Sequence, residues 1–313
     1  MNCSDSRSRF EDALYDSHSP GGIPDQRVTS PYPQRIVCLT EEPTEVLYAL
    51  GEQCRIVGIS GFTVRPSRAR REKPRICAFT SAKIERILEL RPDLVVGFSD
   101  IQADIAKDLI KAGVEVWISN HRSVPDILSY VRRLGAMVGA AERADRYALE
   151  LEQRMERLRQ RALPFSRRPR VYFEEWDQPL ITGIRWVSEL IAIAGGEDIF
   201  PERATCALAK DRILADSTEI IRRAPDIMFG SWCGKRFRPN LVAARPGWRD
   251  IPAVRDGELH EIKSPLILQP GPAALTDGLD AIHQVIRRWV ERVDRGIPAA
   301  KQGSVTTAAT DLV

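Results

Sequence analysis

From residue 35 onward, short apolar runs alternate with longer stretches in which apolar residues recur at helical spacing. Residues 35–39, 56–60, 94–97 and 114–118 read as buried strands. Residues 44–50, 83–90 and 103–112 read as helices, the first and last stopped by Gly51 and Gly113. The pattern then changes. Residues 141–163 run without Gly or Pro and are heavily charged, with Leu149, Leu151, Met155 and Leu158 as an apolar stripe, which predicts one rigid helix ended by Pro164. Alternation resumes with a strand over 171–173, a helix over 187–194 closed by Gly195 and Gly196, and a helix over 218–223. Strands at 226–230 and 258–262 and a terminal helix over 273–290 follow. Strands and helices alternating at this length build parallel sheets covered by helices on both faces, an α/β class.

One segment occurs twice. Ile87-Leu-Glu-Leu-Arg-Pro-Asp-Leu-Val-Val-Gly97 and Ile220-Ile-Arg-Arg-Ala-Pro-Asp-Ile-Met-Phe-Gly230 each carry a helix end, a Pro-Asp turn and an apolar strand closing on Gly. The spacing from Pro92 to Pro225 also carries Glu41 and Glu42, which follow one apolar run, onto Glu174 and Glu175, which follow another. Two landmarks in one register predict two similar α/β lobes with a ligand cleft between them. The expected organisation is a disordered tail over 1–33, an N-terminal lobe over 34–138 and a connecting helix over 139–165. A C-terminal lobe over 166–295 and a second tail over 296–313 complete it.

The 313 residues suffice for two cores, and 43% apolar with 28% charged residues is ordinary soluble usage. A net charge of +3 from 46 basic and 43 acidic side chains, with no long free basic run, argues against a nucleic-acid partner. The densest basic cluster, 68–73, reads as a solvated loop. Six cysteines without CxxC spacing indicate reduced thiols and neither a zinc site nor a disulfide framework. Residues 1–33 hold no apolar run of the length a secretory signal needs, so the chain as written is expected in the cytoplasm, without membrane insertion.

Ligands of open α/β sheets bind outside the carboxyl ends of the strands, and several of those ends carry unusual side chains here. Glu41, Glu42, Glu174 and Glu175 would put four carboxylates on one cleft, favouring a cationic or hydrogen-donating ligand or raised pKa values. Phe62, Phe79, Phe98, Trp176, Trp186 and Trp232 fall on the same rims and would wall a large flat ligand. No GxSxG, P-loop or GxGxxG is present, and the four histidines do not form a metal pattern, so no catalytic cofactor and no catalytic residue are expected. Cys233 is expected as a pocket-lining small residue, with a reactive thiol or a soft axial ligand as the alternatives.

In order, the chain carries a strand, Thr-Glu, a helix, Val-Gly-Ile-Ser (57–60), Lys-Ile-Glu-Arg-Ile (83–87) and Arg-Pro-Asp-Leu-Val (91–95). After the long helix come Gly-Gly-Glu-Asp-Ile-Phe (195–200) and Ala-Pro-Asp-Ile (224–227). This order, over about residues 34–293, resembles the helical-backbone substrate-binding proteins of ABC importers, in particular their cobalamin-binding branch. The resemblance implies two Rossmann-like lobes held by a rigid helix, small closure motions, a corrinoid or related metal chelate as ligand, and a periplasmic location. It implies that Phe62, Phe79 and Phe98 flank the corrinoid, with Trp186 and Trp232 as looser placements. It also implies that Glu85 and Glu219, one on each lobe, dock onto arginines of an ABC permease.

Two functions follow as expectations. The first is non-catalytic enclosure of a cobalamin-like ligand; the second is a cytoplasmic enzyme or sensor with Glu174 or Glu175 as general base and Cys233 or His260 assisting.

Overall fold

The computed structural model describes residues 30–77 and 83–298. Strands β1 (Ile36–Cys38), β2 (Ile56–Ser60), β3 (Arg75–Cys77), β4 (Leu94–Phe98) and β5 (Val116–Ser119) form an all-parallel sheet in the order β3-β2-β1-β4-β5. The second sheet holds β6 (Arg170–Asp177), β7 (Leu180–Thr182), β8 (Glu197–Asp198), β9 (Ile227–Gly230) and β10 (Leu259–Glu261) in the order β10-β9-β6-β7, with β8 on the start of β6. All its pairings are parallel except β6 with β7. The central strands β1, β4 and β9 are buried along their whole length, which is why they read as unbroken apolar runs.

The repeated Pro-Asp segments become β4 and β9, each next to the first strand of its sheet. Their turns are built alike: Asp93 accepts from the backbone N–H of Arg35 at 2.8 Å, and Asp226 from that of Arg170 at 2.8 Å. Each aspartate thus pins the start of its strand to the start of the neighbour. Both segments close on Gly for one reason. A Cβ at Gly97 would collide with the Gln102 side chain, and one at Gly230 with the Phe237 ring.

Helix Ala141–Ala162 runs between the sheets and packs against helices Val124–Met137, Arg185–Ile193 and Leu279–Asp294. Its buried stripe is Ala144, Ala148, Leu151, Met155 and Leu158, part of one continuous core shared by both sheets. Leu149, expected in that stripe, is 49% exposed, because it follows the buried Ala148 by one residue and so lies roughly 100° around the helix from the stripe. Helix Val124–Met137 was not anticipated, although Ser123 and Asp126 form a reciprocal capping box with Pro125 in the first turn.

One equivalence drawn from the sequence does not hold locally. Glu41 and Glu42 open helix Glu41–Ala49, three residues before the expected start, whereas Glu174 and Glu175 lie inside β6. Carboxylates are favoured in a first helical turn, and Pro43 removes only an N–H that has no helical partner there. In the second lobe, β7 folds back on β6 and pairs Thr182 with Glu174, which holds that segment extended.

Candidate functional site

The carboxyl ends of β1, β2 and β4 lie on one edge of the first sheet and present Glu41, Phe62 and Phe98. Phe62 is 52% exposed, an unusual state for so large an apolar ring, while Phe98 is buried under the guanidinium of Arg122, 4.9 Å from its centroid. Arg122 also reaches Asp100 at 3.0 Å. From the second sheet, the ends of β6 and β9 present Glu175, Trp176 and Cys233. The two sets face each other: the charges of Glu41 and Glu175 both raise the pKa of the exposed Cys233 thiol, after partial desolvation. The charges of Arg212 and Glu175 likewise act on Arg122.

The four glutamates fare differently, and the expectation of four uncompensated carboxylates is corrected. Glu174 is fully buried, with both oxygens taken: Arg245 grips them at 2.7 and 2.8 Å, the Trp232 indole N–H donates at 3.1 Å and the Tyr172 hydroxyl at 3.2 Å. Nothing of Glu174 is left to meet a ligand. Glu175 is held by the buried Arg212 at 2.6 and 3.2 Å, and that guanidinium also donates to the Thr182 carbonyl. Glu41 and Glu42 have no such cations. Burial pushes Glu41 up to about 8, partly offset by a hydrogen bond from the Val64 backbone and reinforced by Glu42 and Glu45. Burial also pushes Glu42 up to about 7, against the Thr40 hydroxyl, which donates at 2.6 Å.

The aromatic wall is narrower than the sequence implied. Trp186 is buried in the core and donates its indole N–H to the Ile267 carbonyl at 2.8 Å, and Trp232 is buried on Glu174. Both are therefore corrected from wall to framework. Indoles with a polar partner in reach are buried readily, which short-range pattern cannot foresee. Trp176 keeps an accessible edge, with Lys235 Nζ 4.5 Å above its ring and 2.5 Å from Asp177. Phe79 lies outside the described residues. Phe98, buried beneath Arg122, is likewise corrected from wall to framework, and Phe62 and Trp176 remain as candidate ligand-facing rings, with Glu41 and Glu175 as their polar neighbours.

His121 and His260 do not reach ligand space freely. His121 is buried, stacked on Tyr130 at 4.2 Å, and its Nε2 donates to the Pro270 carbonyl at 2.7 Å, while burial lowers its pKa to about 4. His260 is engaged by Glu258 at 2.8 Å. Glu85 stands exposed in the first turn of helix Ile84–Glu89. Glu219, in the first turn of helix Thr218–Arg223, lies within 4.0 Å of Arg203, Arg222 and Arg223. Sequence reasoning missed Arg122, Arg212 and Arg245, because an arginine in a loop or short helix carries no sign of the partner it will meet.

No group of three or more His, Cys, Asp or Glu side chains is arranged to hold a metal ion, and no helix is long and apolar enough to cross a membrane, among the described residues. A cavity of about 530 Å³ lies elsewhere, between helices Ala141–Ala162 and Leu279–Asp294, lined by Leu158, Arg161, His283 and Arg287.

The chain matches the periplasmic binding protein family over residues 36–266. It is 25% identical to a vitamin B12-binding protein of Vibrio parahaemolyticus over 248 residues, covering 77% of this chain and 86% of that protein. It is 22% identical to an ABC transporter substrate-binding lipoprotein of Bacillus subtilis, with 81% and 80% covered. Among solved structures, a periplasmic heme-binding protein of Roseiflexus sp. RS-1 superposes with a TM-score of 0.69 at 24% identity, covering 81% of this chain and 99% of that one. The vitamin B12-binding protein of Vibrio cholerae superposes with a TM-score of 0.65 at 22% identity, covering 82% and 98%. At these identities the structural matches establish the two-lobed α/β fold.

Proposed function

The chain belongs to the periplasmic binding protein family, and from that premise we propose that it encloses a cobalamin-like corrinoid between its lobes without covalent chemistry. In an importer it would then pass that ligand to an ABC permease, with Glu85 and Glu219 as the docking carboxylates. One observation carries the choice of ligand. The charges named above at the strand ends are paired or suppressed: Arg212 with Glu175, Arg122 with Asp100, Lys235 with Asp177, and Glu41 held protonated near neutral pH by burial. A balanced cleft of this kind suits a ligand whose rim carries neutral amides, as a corrin does. A protonated carboxyl both donates to and accepts from an amide. Phe62 and Trp176 supply apolar faces for the ring.

The kinship with vitamin B12-binding proteins of Vibrio supports this reading. A heme reading draws on the exposed Cys233 thiol, a group able to ligate iron in the cleft. Titration of the intrinsic tryptophan fluorescence separates them. Cyanocobalamin or cobinamide is expected to quench it stoichiometrically at micromolar concentrations, and hemin to bind at least tenfold more weakly. Absence of quenching by either corrinoid up to high micromolar concentration, with hemin binding lost in Cys233→Ala, would overturn the corrinoid reading in favour of heme.

A further inference from the structure

Beneath the cleft, residues 270–278 form a strap that leaves the second lobe and lies on the first. The His121 Nε2 bond to the Pro270 carbonyl and the bond from the Ala273 backbone N–H to Glu45 Oε2, at 3.0 Å, tie it down. Arg65 adds a bridge, 3.1 Å from Glu45 and 2.7 Å from Asp277. Residues Ala274–Gly278 of the strap are π-helical, a weaker hydrogen-bonded form than an α-helix. Gly271 is the point of closest approach: a Cβ there would come within 2.7 Å of the Cβ of Glu42.

Glu42 is 1% exposed, and its Oε2 has no hydrogen-bond partner. Its Oε1 accepts from the Thr40 hydroxyl at 2.6 Å, and the other groups around it offer Oε2 no partner. On its own helix stand Glu41, Glu45 and Thr44, the last with a buried hydroxyl that also lacks a partner. From β1 comes the neutral thiol of Cys38, and from helix Val124–Met137 the Tyr130 hydroxyl, buried and likewise unpartnered. Arg65 is committed to Glu45 and Asp277, His121 to Ser119 and Pro270, Lys73 to the Ile56 carbonyl, and Arg70 acts on Glu41. A neutral carboxyl tolerates this enclosure at modest cost. A carboxylate does not, since burying an unpaired charge costs several kcal/mol, on the order of what holds a short irregular segment in place. The strap at Gly271 lies directly against the Cβ of Glu42, so it is the segment outside the first lobe that packs on this side chain.

We propose that Glu42 is a proton-controlled joint between the lobes: while it is protonated the strap seats on the first lobe, and its ionisation lifts residues 270–278 and loosens the cleft floor. Its direction is the ordinary one for a buried acid, with the seated form favoured at low pH and weakened as pH rises through about 7. Retention of a cleft ligand would then weaken in the same direction, a consequence that rests on the proposed binding function, whereas the joint itself does not.

Hydrogen exchange of the full, ligand-free chain, corrected for intrinsic rates, tests it between pH 5.5 and 8.5. Protection of 270–278 is expected to hold below pH 7 and then to fall by up to about tenfold per pH unit, the slope of a single released proton. Glu42→Gln is expected to keep the strap protected at every pH. Gly271→Ala, which forces the strap off Glu42, is expected to leave it poorly protected throughout. Constant protection in the wild type, an unaltered transition in Glu42→Gln, or a wild-type profile in Gly271→Ala would each overturn the proposal. Because no ligand is present, failure here is distinct from failure to bind a corrinoid.

Discussion

Glu41 and Glu42 in the first lobe and Glu174 and Glu175 in the second occupy the same place in a repeated sequence, yet they meet opposite electrostatic ends. The second pair is clamped by Arg245 and Arg212, each guanidinium set bidentate on one carboxylate. The first pair is enclosed without a cation of its own and is driven toward the protonated form by burial. A duplicated backbone therefore fixes where carboxyl groups sit and leaves their charge state to whatever the rest of the chain brings against them. One lobe acquires a rigid polar framework and the other a pair of buried, titratable carboxyls.

The largest expected effect comes from breaking the clamp. Arg245→Met strands Glu174 in the core and is expected to cost about 3 to 5 kcal/mol in urea unfolding. The double change Arg245→Met with Glu174→Leu is expected to recover most of that loss; no recovery would mean that the pair acts through packing and not charge. Glu175→Gln leaves the buried Arg212 with a weaker partner and is expected to cost about 1.5 to 3 kcal/mol, the range for hydrogen bonds to charged groups.

The first pair makes a prediction of opposite kind. Folded-state values of about 8 for Glu41 and about 7 for Glu42, against 4.5 unfolded, mean that the folded chain holds protons the unfolded chain has released. The stabilisation is complete below about pH 4.5 and is lost as pH rises through 7 and 8. His121 and His283, whose pKa values are lowered, act in the other direction and only below their unfolded value of 6.5. Between pH 6.5 and 8 the glutamates alone of these four govern the slope, and unfolding free energy is expected to fall by on the order of 2 kcal/mol. Urea midpoints measured across that window check the sign, and the Glu41→Gln, Glu42→Gln double variant is expected to flatten the profile. The smallest structural effect belongs to the exposed ring: Phe62→Ala is expected to leave stability within about 0.5 kcal/mol of wild type. Its affinity for cyanocobalamin is expected to drop about tenfold, read by fluorescence titration.

Much of the fold was legible along the chain. Parallel strands buried on both faces must be continuous apolar runs, so β1, β4 and β9 announce themselves, and helix Thr218–Arg223 appears at its expected bounds. Helix Val124–Met137 had a readable start in Ser123 and Asp126. The candidate site was legible only in part. Glu41, Phe62, Glu175 and Trp176 stand at or just after the strand ends from which a ligand-facing place was expected. Phe98, Trp186, Trp232 and Glu174 carry the same local signals and end in the framework.

The sequence by itself determined the two-lobed α/β layout and the strand ends on which ligand-facing residues stand, because strand burial and Pro-Asp turns act over a few neighbouring residues. Only the tertiary structure decided which carboxylates are neutralised. Arg245 reaches Glu174 from 71 residues away. Gly271 closes over Glu42 from the far end of the chain. Desolvation and ion pairing depend on what is brought within a few ångströms, and chain distance says nothing of that.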